Sequence, residues 1–196
     1  MAFRVYFGIA SLAILVLCLL NYWKELTPTW KDCQREYYTL LAEKSKDPAK
    51  AAQIARTPAK FVQIYDQPLG VVDRCVICHL GMDNPSMDGA QNPHKVHPGN
   101  LLASHPYQTV GCTICHHGQG LATTLDDAHG QVTHWHRPLL TGHFVQATCT
   151  NCHHEDEIPQ APVLTRGKHL LHNLGCVGCH RTGEPVDEER WGHGWR

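Results

Sequence analysis

Four times in this chain two cysteines stand three positions apart with a histidine directly after the second: Cys75-Val-Ile-Cys78-His79, Cys112-Thr-Ile-Cys115-His116, Cys149-Thr-Asn-Cys152-His153 and Cys176-Val-Gly-Cys179-His180. With 10 Cys and 16 His in 196 residues, chance would supply roughly 0.04 copies of this pattern, so its repetition is a signal of chemistry and not of composition. Two thiols at this spacing can add across the vinyl groups of a haem to form thioethers, and the next imidazole is then held beneath the ring as an iron ligand. Structural zinc also uses Cys-x-x-Cys pairs, but it has no need of histidine at the following position every time. Four disulfides would leave the same histidines unexplained. The motifs point to four covalently bound haem c groups, with His79, His116, His153 and His180 as proximal ligands.

Each iron has a sixth position to fill or leave open. With the motif histidines set aside, 12 of the 16 remain, a surplus that favours bis-histidine ligation and low potentials. The main distal candidates are His97 and His105 in HPGNLLASHP, His129 in AHG, and His134 or His136 in HWHRP. His117 and His154 directly follow proximal ligands and project away from the ring that their predecessors bind, toward a neighbouring haem. His169 and His172 lie in GKHLLH ahead of the fourth motif, where a helix is expected. Met82 and Met87 are the only methionines beyond the N-terminal segment and keep a His/Met haem open.

The motifs start at 75, 112, 149 and 176, at intervals of 37, 37 and 27. Gly81 matches Gly118, His117 matches His154, and His97 matches His134 in this register, which suggests repeated units and a shorter fourth.

The elements that must position these residues are sparse in apolar side chains. From Val71 to Arg196 the aromatics are Tyr107, Trp135, Phe144, Trp191 and Trp195, few for a segment that must offset its ordering entropy. Haem macrocycles would fill such an interior. The formal net charge of -1 gives no basic patch and no reason to expect nucleic acid as a partner.

Residues Phe7 to Leu20 form an apolar run, and Phe3 to Trp23 is long enough to cross a bilayer as a helix. The run leads into Asn21-Tyr22-Trp23-Lys24 with no small-x-small cleavage site, so an uncleaved anchor is expected and not a signal peptide. Leu17 argues against Cys18 as a lipoprotein cysteine. Tyr22 and Trp23 suit the interface, and Arg4 places the N-terminus in the cytoplasm. Haem attachment occurs on the other side of the membrane, which puts the rest of the chain there. Cys18 and Cys33 fall outside every motif. On one continuous helix they would be ~22 Å apart, too far for a disulfide, and both read as inert thiols.

From Thr27 to Asp66 the sequence reads as helix. Thr29 is placed to cap a segment from Trp30 to about Ser45, with Trp30, Cys33, Tyr37, Leu40 and Leu41 at helical spacing. Asp47 and Pro48 open a second segment that stops before Pro58. A stalk, a helix docking on a membrane subunit and a plain solvated helix all fit this region. The expected architecture is mainly α with much irregular loop: a single transmembrane helix over 1–24, a helical connecting region over 25–70, and a haem-packed multihaem cytochrome c domain over 71–196.

The strings VVDRCVICHLGMD, HPGNLLASHP, GCTICHHGQGLATT, AHG, THWHRPLL and APVLTRGKHLLHNLGCVGCH resemble membrane-anchored multihaem cytochromes associated with quinol-oxidising complexes of the cytochrome bc type. The resemblance covers about Trp30 to Gly183. It implies an electron-transfer subunit without substrate chemistry of its own, taking electrons from a Rieske or cytochrome b partner and passing them to a soluble or membrane acceptor. It also implies the bacterial inner membrane, with the haem domain on the periplasmic side, and strengthens His97, His105, His129 and His134 as distal ligands. The tetrahaem quinol dehydrogenases of nitrate and nitrite reductase systems are similar in having one anchor and four motifs. Here about 50 residues separate the anchor from Cys75, and Met82 comes one residue later than that family's CxxCHxM pattern. A haem-wire subunit of another large respiratory assembly is a further alternative.

Overall fold

A computed structural model describes residues 2–176 and 179; His180, Trp191, His193 and Trp195 lie outside the described residues. The chain is mainly helical. Helix α1 (Ala2–Leu26) is followed by α2 (Thr29–Glu43) and α3 (Pro48–Ala55), then by strands β1 (Ile64–Asp66) and β2 (Val71–Asp73). One-turn helices α4 (Leu101–Ser104), α5 (Tyr107–Val110), α6 (Thr113–His116) and α7 (Leu125–Ala128) precede the longer α8 (Pro162–Asn173). Short 3₁₀ segments cover Cys75–Ile77, Pro85–Met87 and Gly142–Asn151.

The backbone gathers into two compact units that interleave along the chain. One takes residues up to 62 together with 75–98 and 123–125; the other takes 63–74, 99–122 and 126 onward. The first motif is therefore grouped with α1, α2 and α3, while the second and third motifs belong to the second unit.

In the first unit α1 runs for 25 residues, about 37 Å at 1.5 Å per residue. It is long and apolar enough to cross a membrane, and none of its most apolar stretch is buried. Pro28 has no N–H to continue the helix, and the Thr27 hydroxyl donates back to the Trp23 carbonyl at 3.0 Å. Thr29 is the first residue of α2 and not its cap; Pro28 holds that position without a side-chain bond. The buried face of α2 is Trp30, Gln34 and Tyr37, the i, i+4, i+7 stripe of a one-sided helix. Trp30 meets Phe61 edge-on at 5.6 Å. The Gln34 amide donates to the carbonyls of Lys60 (2.8 Å) and Ile77 (3.0 Å) and accepts from the Lys60 N–H (2.8 Å). Asp47 caps α3, its carboxylate accepting from the Ala49 N–H at 2.9 Å, with Pro48 in the first turn.

The expectation of helix as far as Asp66 does not hold. Regular helix ends at Ala55, and Ile64–Asp66 pairs antiparallel with Val71–Asp73 in the register Ile64↔Asp73, Tyr65↔Val72, Asp66↔Val71. Pro58 disfavours helical backbone at the residue before it. The connecting turn is set by Asp66, whose carboxylate accepts from Leu69 N–H at 2.9 Å, and by Gly70 at φ +63°, a conformation open to glycine. This hairpin opens the second unit. There the Gln146 side chain accepts from Val163 and Leu164 N–H (2.8 and 3.1 Å), satisfying two first-turn donors of α8 that Ala161 cannot.

Candidate functional site

The cysteine–histidine motifs share one local geometry. In the first, Cys78 and His79 N–H donate to the Cys75 carbonyl at 3.1 and 2.9 Å. In the second, Cys115 and His116 donate to the Cys112 carbonyl at 3.2 and 2.9 Å, and in the third, Cys152 and His153 donate to that of Cys149 at 3.2 and 2.9 Å. In the fourth, Cys179 N–H donates to the Cys176 carbonyl at 3.1 Å. Residues i, i+3 and i+4 of one helical turn lie on the same face, so this turn presents two thiols and an imidazole together. Among the described residues none of these cysteines is in a disulfide, and they are half-buried except for the exposed Cys152 and Cys179.

The supports differ from motif to motif. In the first unit the 3₁₀ turn is held by Gln34 through Ile77, and α2 brings a third thiol to it. Cys33 sits beside Cys78, and burial followed by Cys33 pushes the Cys78 thiol up to about 12. Cys33, which falls outside every Cys-x-x-Cys-His motif in the sequence, thus stands beside one in the structure. In the second unit Asp73 is fully buried, and one carboxylate oxygen accepts from both Cys112 and Thr113 N–H at 2.8 Å. Thr148 donates to the Cys115 carbonyl at 3.0 Å, tying the second motif to the segment that carries the third. Burial, then Cys149, Cys112 and Cys152, push the Cys115 thiol up, so sulfurs of two motifs are neighbours.

The imidazoles are oriented through Nδ1. His116 Nδ1 lies 3.1 Å from the Leu140 carbonyl; donating there puts the lone pair on Nε2, as a metal-ligating histidine requires. His153 Nδ1 lies 3.5 Å from the Glu155 carboxylate. Glu155's own backbone N–H, with His153 and His154, holds that carboxyl below the usual range. Among the distal candidates, His105 Nδ1 faces Ser104 Oγ (3.1 Å) and the Leu101 carbonyl (3.3 Å), and its ring lies 5.9 Å from that of His153 at 75°. His97 Nδ1 lies 2.9 Å from the Pro98 carbonyl. His129 is half-buried, His134 and His136 are exposed, and His154, His169 and His172 are exposed. His117 is half-buried at φ +61°, and burial, then Arg137 and His116, lower its basicity. Met87 is fully buried.

The glycines matched in the repeat have a shared role. A Cβ at Gly81 would collide with the His94 carbonyl oxygen, and one at Gly118 with that of Ala128. The first two motifs thus each admit a second chain segment close behind the histidine.

One candidate ligand went unnoticed in the sequence. His94 is 1% exposed, neither ring nitrogen has a hydrogen-bond partner, and Nε2 lies 3.5 Å from the Glu36 carboxylate. A buried imidazole whose nitrogens make no hydrogen bond is costly, and this one stands in the same unit as the first motif. NPHKVHPG carries no local mark that separates His94 from the neighbouring His97.

The chain matches no protein-family model, no curated protein and no solved structure.

Proposed function

We propose that this chain is a membrane-anchored c-type cytochrome carrying four covalent haems, an electron-transfer subunit of a quinol-oxidising complex of the cytochrome bc type. The observation that carries the reading is the fourfold Cys-x-x-Cys-His pattern. The recurring turn suits it, since in the first three motifs the cysteine pair and its histidine share one face. The donor set suits it as well: paired thiols, an imidazole whose Nδ1 is engaged at His116, and a buried imidazole at His94 whose nitrogens make no hydrogen bond among the described residues.

Bound haem supplies one-electron redox chemistry. The residues of this chain hold and tune it. Each thiol of Cys75, Cys78, Cys112, Cys115, Cys149, Cys152, Cys176 and Cys179 adds to a vinyl carbon, its proton going to the adjacent carbon with no net oxidation. His79, His116, His153 and His180 would ligate the irons, and the Leu140 carbonyl behind His116 and Glu155 behind His153 would set ligand basicity through Nδ1. The anchor confines the relay to the membrane surface on the periplasmic side, where Rieske or cytochrome b partners would donate.

A second reading has one observation in its favour: sulfurs of the second and third motifs are neighbours, as in a four-cysteine zinc site. Those sulfurs are nevertheless not gathered within 4.8 Å of one another, whereas tetrahedral zinc at Zn–S bonds of about 2.3 Å holds them closer than that. A pyridine haemochrome assay on the purified chain, with metal analysis, decides between them. Four haem c per chain and no stoichiometric zinc is the expected result; zinc without covalent haem would sink the proposal. Quinol oxidation by the isolated subunit would shift the assignment to the quinol dehydrogenase type.

A further inference from the structure

We propose that His105 and His153 bind opposite faces of one iron, that of the haem attached at Cys149 and Cys152. This rests on the haem reading above and goes beyond it by assigning a distal ligand to a particular site. The first support is distance. A nitrogen–metal bond is about 2.0–2.1 Å and the ring centroid lies about 1.1 Å behind the nitrogen, so two imidazoles facing each other across one ion hold their centroids roughly 6 Å apart. The His105 and His153 centroids are 5.9 Å apart.

Aromatic rings also meet edge to face at such separations, so orientation has to decide. Both rings turn Nδ1 away to side partners. That of His105 faces Ser104 Oγ at 3.1 Å and the Leu101 carbonyl at 3.3 Å, and that of His153 faces Glu155 at 3.5 Å. A carbonyl or hydroxyl behind one ring and a carboxylate behind the other is the arrangement that fixes metal-ligating histidines with Nε2 toward the metal. Backbone holds both residues in place. His105 N–H donates to the Leu101 carbonyl at 2.9 Å, and His153 N–H to the Cys149 carbonyl at 2.9 Å. Buried Thr148 fixes the start of this motif, its hydroxyl donating to the Cys115 and Val145 carbonyls.

The 75° between the ring planes gives the pair a signature. Near-perpendicular axial imidazoles leave a low-spin ferric iron strongly anisotropic, whereas parallel ones give an ordinary rhombic spectrum. The test uses the full-length holoprotein in detergent, with covalent haem counted first. A chain without covalent haem overturns the underlying reading before any variant is made. With four haems present, electron paramagnetic resonance should show at least one strongly anisotropic low-spin centre. His105→Ala should keep four covalent haems, convert one of the four from low to high spin, remove that signal, and regain low spin on adding imidazole. Four low-spin haems in His105→Ala overturn the pair. If that variant does not accumulate with four haems, His105→Met is measured instead: one reduction potential moved upward supports the pair, and four unchanged potentials overturn it.

Discussion

At the scale of single residues, chemistry was easiest to read where it was written locally. The motif cysteines and histidines stand out because their spacing is fixed and repeated, and the proposal of thioether attachment rests on that spacing. Cys33 and His94 do not, because what matters about them is a neighbour: Cys78 is 45 positions from Cys33, and Glu36 is 58 from His94. Cys33 supports a prediction. In a chain produced without haem attachment, the Cys78 thiol is held near 12, chiefly by burial and then by Cys33. The thiolate is the reactive form, so alkylation of Cys78 should be slow at pH 8 and keep rising with pH toward 12. The same cysteine in the denatured chain should level off above about 9. Because the folded value is raised, the associated stability is present below about 9 and lost as pH climbs through 12. Cys33→Ala removes the second cause and should speed alkylation of Cys78 while leaving Cys149 unchanged. Mass-spectrometric labelling against pH checks this, and an unaltered Cys78 profile in Cys33→Ala would remove Cys33 from the site.

Elements show a similar division. Helix α3 was legible because its signals are adjacent, Asp47 as cap and Pro48 in the first turn, and α8 because its periodic run leads directly into the fourth motif. The hairpin was missed: each strand has three residues, too short for alternation to register, and the turn at Asp66 to Gly70 was absorbed into a helical reading. The buried polar ties were also beyond reach, since Gln34 and Asp73 look like surface residues until their partners 26 to 43 positions away come into place. Asp73 is the sharper test. Its carboxylate carries two charge-assisted bonds at the start of the second motif, and Asp73→Ala would leave two N–H donors in a partly buried site without an acceptor. We expect a loss of about 1–3 kcal/mol in stability and at least tenfold faster hydrogen exchange at the Cys112 and Thr113 amides. Unchanged exchange at both amides would show that β2 does not hold that motif.

For the whole molecule, the question is what ties it to its working surface. Every large apolar side chain from Phe3 to Leu26 is exposed, so nothing within the described chain covers α1, and its length matches a bilayer core of about 30 Å. A formal net charge of -1 offers little electrostatic adsorption, so the proposed membrane attachment rests on apolar burial of α1. The full chain should therefore stay with membranes through high salt and alkaline carbonate washing. Lysine at the centre of a spanning helix costs about 2.5–3.5 kcal/mol per residue. Ile14→Lys with Leu15→Lys should then release the protein to the soluble fraction, while Tyr22→Lys, near the interface where a long cation can reach water, should leave it membrane-bound. A double-lysine variant that still resists carbonate would mean that another surface carries the attachment, and the proposed anchoring by α1 would fail.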